Sequence, residues 1–110
     1  MINIQHLSDT TLIKVGGIVR ICDAKRFDVH RGLSDEYDNN TYDFYDYLLV
    51  SVSFMEANSY ILVNVTLDNP NRGKVLCSLT GESEDSGIMS SVLKKYFAGN
   101  INVFYKEEIF

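Results

Sequence analysis

From residue 32 to residue 71 the sequence contains no lysine and no arginine. The same stretch holds Asp35, Glu36, Asp38, Asp43, Asp46, Glu56 and Asp68, a net of −7, whereas residues 1–31 net +2 and residues 72–110 net 0. The overall charge of −5 therefore comes from one block. Affinity for nucleic acid rests on neutralising phosphates with cations, and anionic membranes attract the same cations, so both partners are disfavoured for this block. A basic protein surface is what such a field attracts and steers.

Other scarcities narrow the class further. Proline occurs once among 110 residues of which 45% are hydrophobic, which argues against extensive disorder and for a single domain spanning residues 1–110. No apolar run approaches the length of a bilayer span, and the opening MINIQHLSDTTLIK lacks the positive start and unbroken apolar segment of a secretory signal. A cytoplasmic location is the expectation. Cysteine is limited to Cys22 and Cys77, each in apolar surroundings (VRICDA and KVLCSL), where two buried thiols are expected rather than a disulfide.

Periodicity supplies the fold. Residues 47–55 (YLLVSVSFM) and 60–67 (YILVNVTL) are β-branched and aromatic runs separated by the turn-prone EANS, and they read as an antiparallel pair. In the second run Ile61, Val63, Val65 and Leu67 alternate with Tyr60, Leu62, Asn64 and Thr66, a strand whose second set forms the wetter side. DNPNRG then marks a turn, and a third strand begins at Lys74. From residue 86 to residue 98 the period changes. Ile88, Met89, Val92, Leu93, Tyr96 and Phe97 recur at helical spacing, with Asp85 or Ser86 as cap and Gly99 as stop. INVFY, 101–105, reads as a last strand. In the amino half LIKV and IVRIC flank Gly16-Gly17 as a tight hairpin would; a helix from Ser8 is the rival, but each interior glycine costs it about 1 kcal/mol. The expected class is α+β, a mostly antiparallel sheet of five or six strands with one main amphipathic helix near residues 86–98.

The acidic block is also rich in tyrosine. SDEYDNNTYDFYDY, residues 34–47, contains Tyr37, Tyr42, Tyr45 and Tyr47, four of the seven tyrosines in the chain. Tyrosine buries a large ring at low rotamer cost and keeps a hydroxyl for hydrogen bonding, so it is a favoured anchor at protein interfaces. Asp35, Glu36, Tyr37, Asp38, Tyr42, Asp43, Tyr45 and Asp46 are the candidate partner-binding residues. The plain alternative is a solvated loop that only maintains solubility. In DFYDYLL the alternation puts Phe44 on one face and Tyr45 and Tyr47 on the other, so some of the rings belong to the core on this reading.

Catalytic signatures are absent from the pattern. His6 and His30 have no second histidine or cysteine at metal-ligand spacing, and Gly16-Gly17 lacks the lysine and hydroxyl residue of a phosphate-binding loop. Paired carboxylates such as Asp43 and Asp46 do acid–base work only when one is buried with a raised pKa, which a segment this polar does not favour. A non-enzyme with no metal and no cofactor is expected.

A chain of this length, with an acidic Asp/Tyr segment on an α+β scaffold and no catalytic signature, resembles the bacterial immunity proteins of contact-dependent and other polymorphic toxin systems. The resemblance lies in size, charge and architecture. It implies a cytoplasmic inhibitor that binds one cognate toxin domain, often a nuclease, covering its active site or docking beside it. The alternatives are a phage- or plasmid-encoded mimic of nucleic acid, a small-ligand module with tyrosines lining a pocket beneath the sheet, and a module that self-assembles through a strand edge.

Overall fold

Alternation of large apolar side chains with smaller or polar ones places most of the described chain in strands. The computed structural model describes residues 1–22, 44–52, 59–69, 72–80, 87–98 and 102–107. In chain order these form β1 (Ile2–Asn3), a 3-10 turn (Ile4–His6), β2 (Leu12–Lys14), β3 (Ile18–Cys22), β4 (Phe44–Ser51), β5 (Ser59–Asn64), β6 (Val75–Thr80), β7 (Gly87–Met89), α1 (Ser90–Tyr96) and β8 (Val103–Lys106). A six-stranded sheet has the order β1-β8-β3-β4-β5-β6, and β2 and β7 form a separate two-stranded ribbon. All strand pairings among the described residues are antiparallel. The class is α+β, with one α-helix among the described residues.

One face of the large sheet builds the core. Val19 and Ile21 of β3, Tyr45, Tyr47 and Leu49 of β4, Tyr60 and Leu62 of β5 and Val103 and Tyr105 of β8 pack with Ile13 and Ile88 of the ribbon and with Leu93 and Phe97 of the helical region. The expected assignment of faces in β5 is reversed. Tyr60, Leu62, Asn64 and Thr66 point inward, while Ile61, Val63 and Val65 are half-buried and Leu67 is 76% exposed. The large Tyr60 ring and Leu62 fill the core, and the two polar residues are accommodated because they are hydrogen-bonded. The Thr66 amide donates to Asn64 Oδ1 at 2.9 Å, and Thr66 Oγ1 accepts from the Asp46 amide at 2.9 Å.

Three boundaries differ from expectation. Gly16-Gly17 does not close a hairpin between its flanking strands, because β2 pairs with β7 whereas β3 lies between β8 and β4. Gly16 has φ +90°, a left-handed value suited to glycine, and its amide donates to the Leu49 carbonyl at 2.9 Å, so the turn passes the chain from ribbon to sheet. The helix starts at Ser90, since Gly87–Met89 are drawn into pairing with β2. Its first amides need no side-chain cap: Ser90 N–H donates to the Thr11 carbonyl at 2.8 Å and Ser91 N–H to the Asp9 carbonyl at 3.2 Å. The expected caps Asp85 and Ser86 and the stop Gly99 lie outside the described residues. The first strand of the central pair begins at Phe44 rather than residue 47, as a continuation of the same alternation. Both cysteines are free thiols and half-buried rather than fully enclosed; burial pushes the Cys77 thiol pKa up, opposed by a hydrogen bond with Tyr96.

Candidate functional site

The second face of the sheet has a different composition. Strand register aligns Lys106, Ile18, Leu48, Val63 and Val75 in one row across β8, β3, β4, β5 and β6. Beside it runs the row Phe104, Arg20 and Asp46. Ile18 is buried yet lies outside the core cluster, and Leu48 and Val63 are half-buried. This face is largely apolar, with an ion pair set into it.

Period-two alternation in β3 and β4 brings Arg20 and Asp46 directly opposite one another. The contact is bidentate: Arg20 Nε to Asp46 Oδ1 at 2.8 Å and Nη2 to Oδ2 at 3.0 Å. The Arg20 guanidinium also stacks over the Phe44 ring, 3.6 Å from its centroid. The hydrogen bonds that Arg20 donates to Asp46 push the Arg20 pKa up. Asp46 is itself positioned by the residues that follow β5, since its amide donates to Thr66 Oγ1 and its carbonyl accepts from the Val65 amide at 2.8 Å.

Next to this pair opens a cavity of about 410 Å³ lined by Met1, Ile18, Arg20, Asp46, Val65, Leu67, Arg72 and Lys106. Arg72 Nη1 donates to the Val65 carbonyl at 2.6 Å, which ties the second guanidinium to the cavity wall. Three cationic side chains thus face one carboxylate, and both oxygens of that carboxylate are engaged by Arg20. The lining offers anion recognition and apolar contact. Among the described lining residues there is no serine, threonine, cysteine or histidine.

The expected partner-binding residues are divided by the structure. Asp35, Glu36, Tyr37, Asp38, Tyr42 and Asp43 lie outside the described residues. Tyr45 is 1% exposed and belongs to the core beside Tyr47, so it has no surface to offer a partner. Asp46 is half-buried and bound to Arg20, and it is the expected site residue that lines the cavity. The tyrosines of β4 lie under the sheet, but the cavity opens on the opposite face and has no tyrosine among its described lining residues. Arg20, Val65, Leu67, Arg72 and Lys106 were not among the expected residues. Arg20 within the apolar IVRIC was the available signal, whereas the approach of Arg72 and Lys106 depends on strand order.

His6 is exposed on the 3-10 turn, and His30 lies outside the described residues. Among the described residues no group of three His, Cys, Asp or Glu side chains is placed to hold a metal ion, and no helix is long and apolar enough to cross a membrane. Comparison with protein-family models, with curated proteins and with solved structures gives no match to this chain.

Proposed function

We propose that this chain is a non-catalytic inhibitor of the immunity-protein type, which neutralises a basic toxin domain, such as a nuclease, through the acidic segment ending at Asp46. The observation that carries the reading is the charge map: seven carboxylates and no cation between residues 32 and 71. A nuclease domain must hold a polyanion and therefore presents the complementary sign. The strand register supports it in one respect. Cys22 and Phe44 are cross-strand partners, so the described residues on either side of 23–43 lie side by side on adjacent strands.

The test is retrieval of a partner from the native host at low and high salt, with wild-type protein and the Asp35→Lys/Asp38→Lys/Asp43→Lys variant as paired baits. Asp46 is left unchanged because it holds Arg20. The expected partner is basic, is retained at about 0.05 M salt, is released near 0.5 M, and is missed by the variant. The purified complex should then suppress the partner's toxic activity at equimolar ratio. Equal capture by both baits, or capture indifferent to salt, rejects the acidic-interface reading.

A further inference from the structure

The cavity on the second face of the sheet is independent of the acidic-segment reading and points to a ligand of its own. Arg20 and Arg72 are held by the protein, the first by Asp46 and the Phe44 ring and the second by the Val65 carbonyl. Their charge is therefore presented with little rotamer freedom left to lose on binding. A guanidinium has five N–H donors. Among the described contacts Asp46 takes donors from Nε and Nη2 of Arg20, and the Val65 carbonyl takes one from Nη1 of Arg72, which leaves donors of both groups to an incoming oxyanion. Lys106 adds a third cation to the lining.

The remaining surface is apolar. Ile18 and Val65 line the cavity, and Leu67 and Met1 stand at it with 76% and 49% of their surfaces exposed. A bare inorganic anion would leave these side chains in water. A ligand carrying its own apolar body would cover them, at roughly fourfold in affinity for each methylene removed from water. The volume, about 410 Å³, falls in the range of small-molecule sites rather than of an extended macromolecular interface.

We propose that this cavity binds a small amphipathic organic anion, with a carboxylate or phosphate head against Arg72, Lys106 and the Arg20 guanidinium and a short apolar body on Ile18, Val65 and Leu67. The fork of the two arginines suits either head, because both present paired oxygens. Asp46 holds Arg20 in position, and the cationic side chains of the lining disfavour a cationic ligand at the same place.

Amide-resolved NMR of the full chain, titrated in turn with hexanoate, hexyl phosphate, acetate and hexylammonium, tests the assignment. Hexanoate or hexyl phosphate should shift the amides of Ile18, Arg20, Val65, Leu67 and Arg72 saturably, and the tighter of the two identifies the head group. Acetate should bind at least about tenfold more weakly. Hexylammonium should cause no saturable shift at these positions. Arg72→Gln with Lys106→Gln should weaken the preferred ligand by about tenfold or more. Lys106→Gln alone, which spares the Arg72–Val65 bond, should weaken it in the same direction. Absence of saturation by both anions up to about 10 mM overturns the proposal. So do equal binding of hexylammonium, shifts confined to other parts of the sheet, or unchanged affinity in both variants.

Discussion

Replacing Thr66 with valine keeps the branched shape of the side chain and removes the hydroxyl that accepts the Asp46 amide. Thr66 is buried, so the orphaned donor has no water to turn to, and the expected loss is about 1–3 kcal/mol. Denaturant unfolding of Thr66→Val measures it; a change below a few tenths would mean that the amide finds another acceptor. The same residue explains why the faces of β5 were misread from the sequence. Asn64 and Thr66 look like surface residues until their partners are known: Asn64 Oδ1 accepts from the Thr66 amide, and Thr66 Oγ1 accepts from the Asp46 amide on the neighbouring strand. Tyr45 is the converse case. Its place in a stretch with five carboxylates suggested a surface, yet strict alternation with Phe44 and Asp46 turns it inward, and that alternation was visible in DFYDYLL.

At the scale of elements, the β2–β7 ribbon depends on a close approach that only glycine permits. A β-carbon on Gly87 would lie 2.0 Å from the Ile13 carbonyl oxygen, a backbone atom with nowhere to move. Gly87→Ala should therefore part the ribbon locally and cost about 3 kcal/mol, read from thermal or denaturant unfolding. Because Ser90 and Ser91 take their acceptors from the Thr11 and Asp9 carbonyls, amide hydrogen exchange at the start of α1 should accelerate in the same variant. The periodic stripe from Ile88 to Phe97 disclosed the helix but not its start. Ile88 and Met89 satisfy a strand pattern equally well over so short a run, and the choice was made by a partner strand more than seventy residues earlier in the chain. The central strands β4, β5 and β6 were legible because each is a β-branched run bounded by turn residues, and consecutive strands pair in order. The Gly-Gly hairpin failed for the opposite reason: its strands join different sheets, which local sequence does not encode.

For the whole molecule, charge and fold are separable. Residues 23–43 carry a net charge of −3, and they connect strands that are already paired at Cys22 and Phe44. Replacing them with Asn-Gly supplies the turn type that closes such a pair and should give a chain of net charge −2 that still unfolds cooperatively. Cooperative melting together with loss of the salt-sensitive partner would assign binding to the segment. Loss of cooperative melting would show that the segment also supports the sheet. The acidity of this region was plain from the sequence. The cationic cavity was not, because Arg20, Arg72 and Lys106 come from three distant parts of the chain and meet only when β8 is laid beside β3.

That placement of β8 also governs the order of events during synthesis. Val103–Lys106 is inserted between β1 and β3, so the strands made first acquire their neighbour only when these residues have cleared the ribosome. Until then β4, β5 and β6 can pair with one another, but one side of β3 offers an open line of amides and carbonyls to any extended chain nearby. Until β8 pairs with it, that edge of β3 is where a misplaced strand would add, so β8 doubles as the cover of an otherwise exposed edge.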